Sequence, residues 1–116
     1  MTRPTLSRGH LTRAAPLFAA LGDKTRLQIV GRLCNEGPLS LAQLTESASI
    51  SRQALTKHLN ALSRAGIITD EQSGRSRLWR LETERLREVR KYLDEIASQW
   101  DAAVVRLRAF VETDDH

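Results

Sequence analysis

The chain has few of the residues that would indicate a secreted, membrane-bound or catalytic protein. Its 116 residues include one cysteine, so no disulfide can form within the chain. No apolar run approaches the roughly 20 residues that span a bilayer, and no signal-peptide core precedes the first helical pattern. A glycine-rich phosphate loop and a local Ser–His–Asp signature are also missing. We therefore predict a cytoplasmic protein that is not an enzyme and has no membrane partner.

Aromatic residues are scarce too, and acidic residues are few in the first part of the chain. Two Trp, one Tyr and two Phe leave an apolar set dominated by aliphatic residues, which suits a helix-rich core. Up to Arg80 there are 12 basic and 5 acidic residues, whereas the remainder holds 6 basic and 9 acidic residues. A basic body of this kind attracts phosphate groups. The alternative is an ordinary soluble protein that is rich in arginine.

Two short helical patterns meet across a polar turn between Leu39 and Leu62. Ser40 is a good N-cap for the first pattern, and Ser51 is a good N-cap for the second. The second pattern ends near Gly66 and has an apolar stripe and a polar stripe. This layout predicts a helix-turn-helix, which is typical of DNA binding. The polar stripe consists of Arg52, Gln53, Thr56, Lys57, Asn60 and Ser63.

Two further helices are predicted before this motif. The first covers Leu11 to Ala20, with Pro16 restricting its start. Asp23 is a good N-cap for the second helix, which runs to about Cys34. We expect Cys34 to be a buried structural thiol. The predicted inward face of the second helix consists of Leu27, Val30, Leu33 and Cys34.

Two strand-like runs follow the motif. Residues 67–71 and 77–81 contain β-branched and aromatic residues in alternation, and turn-forming residues 72–76 separate them. This pattern predicts a β-hairpin, the wing of a winged helix. Arg75 and Arg77 at its tip place cations where they can lie along a phosphate backbone. The alternative is a solvated basic turn.

A final helix is predicted from Thr83 to about residue 111. Its apolar residues recur in alternating steps of three and four, which is the spacing of a heptad seam. So small a domain cannot easily cover a stripe of this length, so we predict a homodimer. The predicted dimer interface combines the first and last helices, through Leu17, Phe18, Leu93, Ile96, Trp100 and Leu107.

Together these elements predict one mainly α domain with a small β-hairpin, a winged helix-turn-helix that dimerises through its N- and C-terminal helices. We predict a flexible arm over residues 1–10, the domain over 11–112 and a flexible tail over 113–116. Within the domain, the helix-turn-helix takes about 40–65, the wing about 67–81 and the dimerisation helix about 83–111.

Three strings carry a resemblance to a known family: LFAALGDKTRLQIVGRL, SISRQALTKHLNALSRAGII and SGRSRLWRL. With this order of elements, the chain resembles the arsenic-repressor (ArsR) family of winged helix-turn-helix transcriptional regulators over roughly residues 14–111. The resemblance implies a homodimer that binds double-stranded DNA at an inverted-repeat operator. It also implies that the dimer represses transcription and that an effector releases it.

The resemblance further implies which side chains lie in or over the major groove, namely Ser51, Arg52, Gln53, Thr56 and Lys57. By side-chain chemistry, Arg52 suits guanine O6 and N7, and Gln53 suits adenine. Thr56, Lys57 and Asn60 suit phosphates or base edges. His58 lies in the same helix but on its apolar stripe, so we expect it to be a packed or hydrogen-bonded structural residue.

The metal site of many ArsR relatives is missing from this sequence. Their cysteine pair would fall at Ser40 and Ala42, and no histidine occurs between His58 and His116. We therefore expect no metal and no cofactor, because scattered carboxylates make a poor transition-metal site. The carboxylates of the final helix that were weighed for this role are Asp94, Glu95 and Asp101.

The effector stays open at this point. The alternatives are a small organic molecule between the first and last helices near Tyr92 and Trp100, a thiol modification of Cys34, or no direct ligand. Trp100 is more typical of a core or interface anchor than of a ligand pocket. For the protein as a whole, the alternative is a winged-helix adaptor that binds an acidic protein. A steep salt dependence would separate DNA from such a partner.

Overall fold

Five helices and three short strands follow one another along residues 8–114, the part of the chain that the computed structural model describes. Their order is that of a winged helix-turn-helix, as predicted. The elements are α1 (Arg8–Leu21), α2 (Lys24–Glu36), β1 (Leu39–Ser40), α3 (Leu41–Glu46), α4 (Arg52–Arg64), β2 (Ile68–Ser73), β3 (Ser76–Leu81) and α5 (Thr83–Asp114).

Side-chain caps fix where three of the helices begin, as the sequence predicted. Asp23 accepts a hydrogen bond from the backbone N–H of Arg26 at the start of α2, at 3.1 Å. Ser40 and Gln43 form the reciprocal capping box of α3. Ser51 accepts from the backbone N–H of Ala54 at the start of α4, at 3.1 Å. These bonds satisfy N–H groups that have no partner inside a helix.

One apolar core joins α4 to the rest of the domain. Its side chains come from all five helices and from the sheet, and the most deeply buried are Leu55, Leu59, Leu62, Ile67 and Ile68. Spacing of three and four residues places the first three on one face of α4. The predicted apolar stripe of the recognition helix is therefore confirmed, and the opposite face is left to solvent.

The first and last helices extend further than predicted. α1 begins at Arg8, so Pro16 lies inside the helix and does not restrict its start. The only helical bond that Pro16 cannot make is its own N–H to the carbonyl of Thr12. α5 continues to Asp114, beyond the start of the predicted tail. Residues 1–7 of the predicted arm and residues 115–116 of the tail lie outside the described residues.

The inward face of α2 differs from the predicted one. Ile29 and Leu33 are buried, whereas Leu27 is 53% exposed and Cys34 is exposed. At about 100° per residue, Leu27 and Cys34 lie roughly 160° and 140° from Ile29 around the helix axis. The expectation of a buried Cys34 was therefore wrong, because Ile29 and Leu33 determine which side of α2 faces the core.

The sheet has a strand that the sequence analysis missed. β1 pairs with β3 through Leu39 and Trp79 and through Ser40 and Leu78. β2 and β3 form the predicted hairpin, but the strands run to Ser73 and from Ser76, so the turn is shorter than residues 72–76. Gly74 has φ 61°, a left-handed conformation that glycine adopts readily. The strand order is β1-β3-β2.

α5 packs on the body of the protein only through its first part. Leu86 and Val89 contact the core, and the ring of Tyr92 stacks edge-on against Phe18 of α1, with 5.6 Å between the ring centres. Beyond these residues most of the large apolar side chains of α5 are exposed. Within residues 8–114, no helix is both long and apolar enough to cross a membrane.

Candidate nucleic-acid interface

The polar face of α4 is open to solvent from Arg52 to Asn60, and Ser63 near its end is half-buried. All six residues predicted to contact DNA in this region are exposed, and they are Ser51, Arg52, Gln53, Thr56, Lys57 and Asn60. Two of them also have structural bonds. Ser51 caps the helix, and the Thr56 hydroxyl donates to the carbonyl of Arg52 at 2.9 Å. Arg52, Gln53, Lys57 and Asn60 keep their side chains available for another molecule.

The arginines of the wing differ in how they are held. Arg77 forms an ion pair with Asp70, and its guanidinium lies 5.1 Å from the centre of the Trp79 ring. Arg80 pairs with Glu71 at 3.7 Å and with Glu82 at 2.9 Å. Arg75 sits in the turn, is exposed, and forms no ion pair with any described residue.

A concave surface joins the recognition helix to the wing. It encloses about 510 Å³ between α3, α4 and the hairpin. Both α4 and the hairpin contribute cations to its rim. The structure thus brings together Arg52, Thr56, Asn60, Arg75 and Arg77. Ser51, Gln53 and Lys57 do not line this groove, but they lie on the same exposed side of α4. We call this surface the wing groove.

A cluster of side chains that the sequence analysis missed connects α4 to the first two helices. Arg26 donates from Nε to Nδ1 of His58 at 3.2 Å. The same guanidinium donates to the backbone carbonyls of Ala19 at 3.3 Å and Ala20 at 3.0 Å, near the end of α1. His58 is half-buried and hydrogen-bonded, so the prediction of a structural role is confirmed.

Asp23 completes this cluster. Its carboxylate lies 3.9 Å from Nδ1 of His58. The hydrogen bond from the backbone N–H of Arg26 lowers the pKa of Asp23 below its ordinary value, against a smaller opposing effect of burial. The sequence indicated Asp23 as a helix cap and His58 as a structural residue, but not their connection, because Arg26 and His58 are 32 residues apart.

A second arginine braces α3 against α2. Arg32 donates to the backbone carbonyl of Gln43 at 3.1 Å and to the Ser47 hydroxyl at 2.5 Å. It also forms an ion pair with Glu36, and the hydrogen bond from Arg32 lowers the pKa of that carboxyl group. The helix before the turn is therefore held in place from its C-terminal end.

The predicted dimer-interface residues fall into two groups. Leu17 is 3% exposed and belongs to the core, so the prediction that it contacts a partner was wrong. Phe18 is partly buried against Tyr92 and the core. The other four lie on α5 and present exposed apolar surface: Leu93, Ile96, Trp100 and Leu107. The misprediction of Leu17 has a structural reason. α1 packs on α5 of the same chain, so the apolar face of α1 is covered without a partner.

The two aromatic residues considered for an effector site are separated. Tyr92 lines a cleft between α1 and α5, whereas Trp100 is 70% exposed and does not line it. Among residues 8–114, no three His, Cys, Asp or Glu side chains come together in a group that could hold a metal ion.

Comparison with known proteins finds relatives that contain the same helix-turn-helix region. A family model described as a helix-turn-helix domain matches residues 21–71. An HTH-type transcriptional regulator of Methanocaldococcus jannaschii is 30% identical over 84 residues, which cover 72% of this chain and 94% of that protein. The HTH-type transcriptional repressor SmtB of Mycobacterium tuberculosis is 31% identical over 94 residues, covering 81% of this chain and 67% of the repressor.

A solved structure extends the likeness to the whole fold. The ArsR-like transcriptional regulator from Rhodococcus sp. RHA1 superimposes with a TM-score of 0.79 at 31% sequence identity. The match covers 88% of this chain and 95% of the Rhodococcus protein, so it includes the helices on either side of the helix-turn-helix.

Proposed function

The chain belongs to the ArsR family of winged helix-turn-helix transcriptional regulators, and on this premise we propose that it is a homodimeric repressor of an inverted-repeat operator. Membership of the family makes it a DNA-binding regulator of transcription. We further propose that it acts in the cytoplasm and catalyses no reaction.

The observation that carries the proposal is the wing groove. A helix with one buried and one polar face enters the major groove with the polar face outward. Here that face continues into the wing through a single concave surface with Arg52 on one side and Arg75 on the other. The wing groove therefore offers base-edge donors and phosphate-binding cations in one continuous surface.

Each side chain has a proposed role in this interface. Arg52 and Gln53 contact base edges, because both can form paired hydrogen bonds, to guanine and adenine respectively. Lys57 and Asn60 bind phosphates or base edges further along α4. Arg75 binds a phosphate beside the major groove of the DNA, since its charge is not neutralised within the described chain. Ser51 and Thr56 fix the start of α4 and lie over the major groove of the DNA.

The exposed stripe of α5 supports the homodimer. Leu93, Ile96, Trp100 and Leu107 present apolar side chains that the protomer does not cover. Burying such surface is the main favourable contribution to protein association. A two-fold dimer built on this stripe places two copies of α4 about 34 Å apart, so the half-sites are separated by about one helical turn.

Selection of a random duplex library by the purified protein tests the proposal. The expected product is a palindromic sequence whose affinity falls steeply with salt. Replacing Arg52 and Lys57 by alanine should weaken binding to that duplex by about tenfold or more. The matched control replaces Arg106 and Arg108 on α5, which removes the same charge far from α4.

Two results would contradict the proposal. If the selection enriches no palindrome, the protein is not a dimeric operator-binding repressor. If the α4 variant and the α5 control bind the duplex equally, the assigned face of α4 does not contact DNA. A shallow, saturable salt response toward an acidic protein would instead indicate an adaptor.

A further inference from the structure

A second cavity lies between α1 and α5, and the C-terminal end of α4 closes one side of it. It encloses about 490 Å³, within the range of sites that hold small molecules. Its apolar surface comes from Ala14, Pro16, Leu17 and Ala65, with the ring of Tyr92 beside them. We call it the α1–α5 cleft. None of the residues assigned to DNA contact lines it.

The cleft has an excess of positive charge. Four cations line it against two carboxylates, and one of the carboxylates, Glu88, is paired with a cation of the protein. Glu88 pairs with Arg85 at 3.0 Å, and Glu95 lies 3.2 Å from the imidazole Nδ1 of His10. The other lining cations form no ion pair with any residue in the described range 8–114, and they are Arg13, Arg64 and Lys91.

We propose that the α1–α5 cleft binds a small organic anion, a carboxylate with an aromatic or aliphatic body. The carboxylate interacts with Arg13, Arg64 and Lys91, since hydrogen bonds between ionised groups are roughly twice as strong as neutral ones. The body of the ligand packs on the apolar surface and against Tyr92. A neutral ligand would leave the cations without a counter-charge, and an inorganic anion would leave the apolar surface in water.

The cleft and the proposed dimer surface use different faces of α5. Glu88, Tyr92 and Glu95 line the cleft at spacings of four and three residues, which defines one helical face. The exposed apolar stripe through Leu93 and Ile96 is rotated by about 100° from this face around the axis of α5. A ligand in the cleft and a partner on the stripe are therefore compatible.

The position of the cleft connects it to the recognition helix. Arg64 is the last residue of α4, and it lines the cleft. Arg85 lies across the turn after α4 so closely that a Cβ added at Gly66 would be 2.8 Å from its Nε. A bound carboxylate draws on Arg64, so it shifts the end of α4. This effector role rests on the proposed function, because it requires that α4 bind DNA.

Ligand binding is tested first without DNA. Calorimetric titration of the full chain uses phenylacetate and a panel of aromatic and aliphatic carboxylates, with phenylacetamide and inorganic phosphate as matched probes. We expect carboxylates to bind and both matched probes to bind at least about tenfold more weakly. The double variant Arg13→Gln/Lys91→Gln should weaken carboxylate binding by about tenfold. The double variant Arg106→Gln/Arg108→Gln, which loses the same charge elsewhere on α5, should not.

The ligand assignment is overturned if no carboxylate of the panel binds, if phenylacetamide or phosphate binds equally well, or if both double variants behave alike. The effector role is tested separately with the selected duplex. Saturating carboxylate should change duplex affinity by about fivefold or more, the lower end of typical coupling between two sites. An unchanged duplex affinity overturns the effector role. Duplex binding without carboxylate binding refutes only this inference, whereas carboxylate binding without duplex binding refutes only the proposed function.

Discussion

Nε of Arg26 lies 3.2 Å from Nδ1 of His58, and this hydrogen bond joins α2 to the middle of the recognition helix. The same arginine holds two carbonyls near the end of α1. One side chain therefore links α4 to both α1 and α2.

Replacing Arg26 by glutamine should lower the free energy of unfolding by about 1 to 2 kcal/mol, because the carbonyls and the imidazole lose a charged donor. Urea denaturation measures this change. Arg90→Gln is the matched control, since Arg90 is exposed on α5 and has no partner among residues 8–114. Equal losses in the two variants would show that the Arg26 bonds contribute nothing specific.

The two arginines of the wing tip should contribute unequally to DNA binding. Arg75→Ala should reduce the slope of log affinity against log salt by about one, the effect of one lost phosphate contact. Arg77→Ala should reduce it less, because the charge of Arg77 is already balanced by Asp70. Fluorescence anisotropy of a labelled duplex at several salt concentrations gives both slopes. The opposite order of the two slopes would refute this prediction.

A charge in the exposed stripe of α5 should abolish dimerisation. Trp100→Glu places a carboxylate in the predicted dimer surface, and burying it there without a partner costs several kcal/mol. Sedimentation equilibrium should show a monomer at concentrations where the natural chain is a dimer. Ser98→Glu, an exposed position on the other side of the same helix, is the control and should stay dimeric. A dimeric Trp100 variant would place the interface elsewhere.

The charge of Asp23, the N-cap of α2, should make the free energy of unfolding depend on pH. The pKa of Asp23 is lowered in the folded protein, chiefly by the N–H of Arg26, so the folded state favours the charged carboxylate. Its contribution to stability is present above the ordinary carboxyl pKa and is lost as the pH falls through the lowered pKa. Asp23→Asn keeps the cap without the charge.

Urea denaturation of both proteins at neutral and strongly acidic pH checks this prediction. The natural chain should be more stable than the Asp23→Asn variant at neutral pH, and the difference should shrink in acid. A difference that is independent of pH would mean that the charge of Asp23 does not contribute.

Much of the DNA-binding unit was predictable because its signals are local. The caps at Ser40 and Ser51 and the two faces of α4 each depend on residues within a few positions of one another. The fold followed from their order along the chain. The proposed DNA contacts depend on the same local pattern, since the exposed face of a helix is fixed once its buried face is known.

The features that were missed depend on contacts between distant segments. β1 has two residues, too few to show any periodicity, and exists only because β3 lies beside it. The inward face of α2 was mispredicted because Leu27 and Cys34 are apolar in sequence but lie away from the core. The bond between Arg26 and His58 and the α1–α5 cleft likewise arise only when the helices pack.

The short strand β1 also has a consequence for how any signal reaches DNA. Ser40 caps α3 and pairs with Leu78 of β3, so the hairpin is attached directly to the first helix of the helix-turn-helix. The wing cannot swing independently of α3 without breaking that pairing. In the proposed complex, the wing and α3 of each protomer therefore move together on the duplex. In the proposed homodimer, affinity is then lost through a shift of α4 or through a change in the distance or angle between the two protomers.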